Sequence, residues 1–117
     1  MKALVLEKNV FKIKEFEKEN SLNFLQKEVN GNIERISFIK VLEEKGIDVW
    51  VNEEGKLLGL SPSITIYHQN ELIDVLMGNV VFTRYNDEGE TIGLTDDDIS
   101  FIQALLLFRT YWLDWEE

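Results

Sequence analysis

Nine residues of this chain are written almost twice. Asn52-Glu53-Glu54-Gly55-Lys56-Leu57-Leu58-Gly59-Leu60 is echoed by Asn86-Asp87-Glu88-Gly89-Glu90-Thr91-Ile92-Gly93-Leu94, with Asn, Glu, both glycines and the final Leu at the same offsets. An apolar or aromatic run precedes each copy, at residues 49–51 and 80–82. The pattern predicts two β-hairpins: a polar turn ending in Gly55 or Gly89, which supplies a positive φ, and a short second strand closing at Gly-Leu. Each copy is followed by a helix start. Ser61 can cap with Pro62 in the first turn, and Thr95 precedes three aspartates that suit the positive end of a helix dipole. The fold class expected is α+β, a mostly antiparallel sheet with two similar hairpins and about three covering helices, the last one C-terminal.

The remaining segments fit that plan. Ala3 to Leu6 reads as a buried strand, and Val10 to Phe16 as its antiparallel neighbour, with Phe11 and Ile13 alternating against Lys12 and Lys14. Ser21 can cap a helix whose Leu22, Leu25 and Val29 share one face, and Asn30-Gly31 stops it. Ile33 to Leu42 is rich enough in β-branched and aromatic residues for a strand. A short helix is expected from Pro62 to about Asn70, followed by an extended or irregular stretch over Ile73 to Leu76. Nothing resembling a linker interrupts the order, so residues 1–117 are read as one domain.

At 117 residues and 44% hydrophobic content, the chain is long enough to bury a core of its own. It has no cysteine, so neither disulfides nor thiolate metal sites staple it. Its longest apolar stretches are too short for a signal peptide or a membrane span, and the expected location is cytoplasmic. Charge is unevenly placed: residues 1–45 hold nine Lys/Arg against eight Asp/Glu, and residues 46–117 hold three against fourteen, net −11. Such a half repels nucleic acid and anionic membranes and suits a basic protein partner.

The run Val51-Asn52-Glu53-Glu54-Gly55-Lys56-Leu57-Leu58-Gly59-Leu60, then Gly78-Asn79-Val80-Val81, Asp87-Glu88-Gly89-Glu90 and Gly93-Leu94-Thr95, resembles a family of small domains of unknown function encoded on phages, plasmids and conjugative elements. The resemblance runs from Leu25 onward. The chain departs from the family's Gly-Leu-Pro at Gly59-Leu60-Ser61-Pro62. A mobile-element origin is what the resemblance implies, and it carries over no active site.

No constellation points to chemistry. His68 is the lone histidine and reads as a boundary residue. Asp96-Asp97-Asp98 fits a helix start, with Thr95 and Asp98 as a capping-box-like pair, better than a cation loop. No metal or cofactor is expected. Glu53, Glu54, Asp87 and Glu88 sit at the two hairpin tips and would form an acidic face if the hairpins are neighbours. The last helix carries the strongest signal. At 100° per residue from Ile99, Ser100, Gln103, Thr110 and Asp114 share one arc, while Phe101, Leu105, Phe108, Tyr111, Trp112 and Trp115 spread over the remaining roughly 240° with Arg109 among them. Either the helix is buried on two sides of its own monomer with Arg109 paired to an internal carboxylate, or Phe108, Arg109, Tyr111, Trp112 and Trp115 meet another chain. The simplest such contact is an isologous dimer in which Arg109 meets Asp114 of the partner subunit.

Three functional readings stand side by side. The leading one is a small acidic non-catalytic binding protein of mobile-element type, acting through contacts with a host nucleic-acid-binding or defence factor. The others are a small-molecule or nucleotide-binding module or enzyme with a pocket near residues 61–70, and a structural accessory subunit. The charge distribution already makes one expectation testable: the protein passes through a duplex-DNA column at low salt without retention, whereas retention lost on raising salt would contradict it.

Overall fold

The computed structural model describes residues 1–113. Strands β1 (Lys2–Glu7) and β2 (Val10–Glu15) form the first hairpin, in register from Lys2↔Glu15 to Glu7↔Val10. Its two-residue tip, Lys8 and Asn9, takes positive φ at both positions, as the right-handed twist of the flanking strands demands. A single 3-10 turn at Lys18–Asn20 leads into α1 (Ser21–Val29), which stops where Asn30 itself adopts the left-handed conformation, φ 62°. Leu25 and Val29 of α1 are buried, but Leu22 is exposed. β3 (Ile33–Ile36), the short helix α2 (Lys40–Glu44) and β4 (Ile47–Asn52) follow. Next come β5 (Pro62–His68), β6 (Glu71–Met77), β7 (Val80–Tyr85), the two-residue β8 (Thr91–Ile92), α3 (Asp96–Leu105) and β9 (Thr110–Trp112).

Two sheets result. The larger is antiparallel throughout, in the order β2-β1-β7-β4-β3, and β7 runs down its middle with Val80 to Thr83 all buried. β8 pairs with β7 at Arg84 and Tyr85, beyond the stretch that β1 covers. The smaller sheet is β6-β5-β9, with β9 parallel to β5. Because side chains alternate across a strand, the large sheet supplies two cores. On one face Ala3, Val5 and Val81 meet Phe16 and the Leu25 and Val29 side chains of α1. On the other, Leu4, Leu6, Val49, Val80 and Phe82 meet Ile64 and Ile66 of the small sheet, Leu42 of α2 and Ile99, Ile102 and Leu106. The fold is α+β as the sequence predicts, with three layers.

Several expectations are corrected. Pro62 to Asn70 is not a helix: Ile64 and Ile66 are buried while Thr65 and Tyr67 alternate with them, so Pro62 occupies the first position of a strand, where its missing N–H costs no ladder bond. The strand expected over Ile33 to Leu42 is divided between β3 and α2, which puts Ile39 and Leu42 into the core from a turn of helix. Only the second echo is a hairpin, β7 to β8, with Gly89 at φ +77°. In the first, β4 pairs with β3 and β7, and the chain leaves through turns at 53–59 to enter the other sheet. Gly55 has no positive φ; it is there because a Cβ would lie 3.1 Å from the Met77 carbonyl oxygen. What the echo encodes is more local. Asn52 Oδ1 accepts from the Glu54 N–H at 2.8 Å, and Asn86 Oδ1 accepts from the Glu88 N–H at 3.0 Å, so each Asn closes an Asx turn around its own acidic tip.

The start of α3 is as expected. Thr95 Oγ1 accepts from the Asp98 N–H at 3.1 Å and Asp98 Oδ2 accepts from the Thr95 N–H at 2.9 Å, a reciprocal capping box. The same carboxylate accepts Arg84 Nε at 2.9 Å and Nη2 at 2.7 Å. Burial pushes the Asp98 carboxyl up, but the Arg84 guanidinium and the Thr95 hydrogen bonds outweigh it and hold the group below its ordinary value. A depressed carboxyl stabilises the fold above its unfolded-state value and loses that contribution as pH falls through the folded-state value. Asp98→Asn is therefore expected to cost about 2–4 kcal/mol near neutral pH, since it leaves Arg84 without its charge partner. The difference from wild type should shrink as pH falls below about 4, where the unfolded chain takes up the proton first, and should vanish only once pH has fallen through the lower folded-state value. Urea unfolding at a series of pH values measures both.

Candidate binding surfaces

Residues 106–112 do not continue the last helix. α3 ends at Leu105, and the chain turns through residues 106–109 so that Arg109, at φ 56°, reverses it into β9. The helical stripe is thereby taken apart. Tyr111 points into the core and is 5% exposed. Trp112 is half-buried and stacks on Tyr67, ring centroids 4.7 Å apart and planes at 21°. Phe108, at the turn, is 84% exposed. Trp115 and Asp114 lie outside the described residues. Arg109 pairs with no carboxylate among the described residues. Its Nη1 donates to the carbonyls of Leu106 and Leu107 at 2.9 and 3.0 Å, its Nη2 to the Asn9 carbonyl at 3.0 Å, and its guanidinium sits 4.5 Å from the Phe11 ring centroid. The cation thus ties the last turn to the tip of the first hairpin, through carbonyl dipoles and a ring face in place of a counter-charge.

Between α2, the end of α3 and β9 lies an apolar groove of about 590 Å³, lined by Val41, Ala104, Leu105, Phe108, Thr110, Tyr111 and Trp112. Three of the five aromatic and cationic residues expected to bind a partner line it, and Arg109 holds the turn from which Phe108 projects by bonding the Leu106 and Leu107 carbonyls. Sequence reasoning found these side chains but put them on the wrong element. The alternation of exposed Phe108, half-buried Thr110, buried Tyr111 and half-buried Trp112 belongs to a turn and strand.

The acidic tips do not converge. β4 and β7 are antiparallel, in register from Ile47↔Arg84 to Trp50↔Val81. Glu53 and Glu54, beyond the end of β4, and Asp87 and Glu88, beyond the end of β7, therefore sit at opposite ends of the sheet, all exposed. The helix thought to border a pocket near residues 61–70 is replaced by β5, where Tyr67 is engaged by Trp112 and His68 is half-buried, its Nδ1 without a hydrogen-bond partner among the described residues.

A second concavity, of about 410 Å³, opens on the other face of β4, lined by Arg35, Glu43, Asp48, Trp50, Tyr85, Gly89 and Thr91. Asp48 is 7% exposed, on a strand whose neighbours Ile47 and Val49 are core. Arg35 Nη1 is 3.3 Å from Glu43 Oε1 and 3.6 Å from Asp48 Oδ1. Tyr85 donates its hydroxyl to the Glu43 carbonyl at 2.8 Å, and the Trp50 indole N–H donates to Thr83 Oγ1 at 2.9 Å, which fixes both aromatic walls. Burial pushes the Asp48 carboxyl up, Arg35 draws it back, and Glu43 adds to the rise. This hollow was missed from sequence, although an acidic residue inside an apolar strand was its visible signal.

The fold and its surfaces define a small α+β protein whose concavities include an apolar groove and a polar hollow on opposite sides of its large sheet. The chain belongs to the family described as a domain of unknown function (DUF3846), which matches residues 1–107. The match takes in the polar hollow and ends just before Phe108. No curated protein and no solved structure matches the chain. Among the described residues no group of three or more His, Cys, Asp or Glu is placed to hold a metal ion, and no helix is long and apolar enough to cross a membrane.

The different roles of adjacent residues at the last turn are separable. Arg109→Ala removes three hydrogen bonds and the ring contact and is expected to destabilise by about 1–3 kcal/mol. Phe108→Ala, at an exposed site, should fall within about 0.5 kcal/mol of wild type. Chemical denaturation of the two variants side by side checks the contrast.

Proposed function

We propose that the protein is a small acidic non-catalytic binding protein of phage or plasmid type, which engages a basic protein partner, a host nucleic-acid-binding or defence factor, through the groove beside β9. The observation that carries this reading is Phe108, which stands 84% exposed on the rim of an apolar groove whose walls include Trp112. An aromatic left in water next to a ready-made apolar groove is the pattern of an interface anchor, in which large side chains fill desolvated pockets. The excess of carboxylates over residues 46–117 gives the chain a net negative charge complementary to a basic partner, which raises association rate and excludes acidic partners. The mobile-element setting rests on the family resemblance, and a host factor is the kind of partner such elements encode proteins to occupy.

A second copy of the chain is the competing occupant. β9 lies at the edge of the small sheet, and a two-fold contact could use that edge together with Phe108. Pull-down from host extract with wild type and Phe108→Ala, combined with light scattering of the purified protein, distinguishes the two. The expected outcome is a monomer that captures a basic protein, with capture weakened at raised salt and lost in Phe108→Ala while the fold is unchanged. A stable dimer that dissociates in Phe108→Ala and captures nothing would overturn the reading in favour of self-association.

A further inference from the structure

The hollow around Asp48 carries an inference that stands apart from the groove beside β9. Within it Asp48 is more than nine-tenths buried, yet among the described residues its carboxylate receives no hydrogen bond; the Arg35 guanidinium stays at 3.6 Å. A carboxylate removed from water normally recovers its hydration through several N–H or O–H donors, as Asp98 does with three. Asp48 has no such donors: its one charge partner is the Arg35 guanidinium at 3.6 Å, and it lines a cavity within the roughly 300–1,000 Å³ range of small-molecule sites.

The surroundings say what would complete it. Arg35, which is exposed, leans its guanidinium between Glu43 and Asp48 and is hydrogen-bonded to the first alone. The lining carries two carboxylates against one guanidinium, so its net charge is negative. Two of its walls are aromatic, and both rings are held: Trp50 by Thr83 and Tyr85 by the Glu43 carbonyl. Pre-set aromatic walls with a buried carboxylate at the base favour a flat, weakly hydrated cation that can donate two parallel N–H bonds while lying against a ring. A compact ammonium is more strongly hydrated and makes less use of the rings.

We infer that the hollow lined by Asp48, Glu43, Trp50 and Tyr85 is a binding site for a planar guanidinium-type cation, which donates to Asp48 and is enclosed by the two aromatic rings. The cation can be the arginine side chain of a protein or a free small molecule with the same head group. In either case Arg35 swings toward Glu43 and solvent as the ligand enters, since two guanidinium groups on one carboxylate repel.

The test is a titration followed by two-dimensional amide NMR on the full chain, with methylguanidinium, an acetylated and amidated Gly-Arg-Gly peptide, n-butylammonium and neutral acetamide as probes. Saturable shifts of the Trp50 indole N–H and of the Asp48, Gly89 and Thr91 amides are expected with both guanidinium probes. Binding at least tenfold tighter to the peptide identifies a protein-borne arginine as the source, and the reverse order identifies a free small cation. Asp48→Asn, isosteric and free of the buried charge, should keep the native spectrum and weaken binding by tenfold or more. Glu43→Gln, on the open rim, provides a second folded variant and should weaken it severalfold. Shifts that do not saturate, that survive unchanged in both variants, or that acetamide reproduces would overturn the inference. Equal affinity for n-butylammonium would overturn the assignment to a planar cation.

Discussion

The carboxylate of Asp98 is the point on which the arrangement of layers turns. Three N–H groups converge on it: two from Arg84, in the middle strand of the large sheet, and one from Thr95, at the mouth of α3. A helix cap and a sheet-to-helix ion pair are thus the same group, so α3 cannot slide or rotate against β7 without giving up both. Even the turn before β4 answers to this arrangement, for a Cβ at Gly46 would come 2.8 Å from Arg84 Nη1. With α3 anchored at its start, Ile99, Ile102 and Leu106 are delivered to the core, and the turn after the helix arrives where Arg109 can grip the tip of the first hairpin.

Much of this was legible in the residues. The β1–β2 pairing, the stop at Asn30, the hairpin at Asp87 to Gly89 and the Thr95 capping box all follow from short-range rules, and all are present. Failures came where a local pattern had two physical solutions and distant contacts chose between them. Ser61-Pro62 can open a helix or a strand, and the need of the core for Ile64 and Ile66 on one side selects the strand. Asn52 and Asn86 make the same turn, but the Asn52 amide also donates to the Val29 carbonyl at the end of α1, 3.0 Å away, and sends the chain toward the other sheet. The aromatic run after Leu105 has helix-like spacing, yet three carbonyls wait for Arg109 at the turn, and no periodicity argument sees them. Site residues suffered the same fate: Phe108 and Trp112 were visible as types but not in place, and Asp48 stood out among its apolar neighbours while the Trp50 and Tyr85 walls around it depend on the sheet register.

The two concavities divide the labour of β4 and its surroundings by simple alternation. Val49 faces the core beneath the small sheet and α3, whereas Asp48 and Trp50 face the opposite side, where α1 covers only part of the sheet. That uncovered area is where a polar lining can persist beside a hydrophobic core. A one-residue slip of β4 would exchange the two faces, placing the carboxylate in the core and exposing the valines, so the register that fixes the fold also fixes the character of each surface.

The position of β7 has a consequence for how the chain comes into being. Both of its long partners precede it in the chain: Leu4 of β1 lies opposite Phe82, about 80 residues later, and Val49 of β4 lies opposite Phe82 from the other side. During synthesis the first hairpin, α1 and the β3–β4 pair emerge with their shared central seat empty, each showing an apolar edge to the surroundings. The large sheet closes only when residues 80–85 leave the ribosome, joining two halves in one step at the entropic cost of a long loop. Until then the exposed edges are the places where a nascent chain would meet another chain or a chaperone.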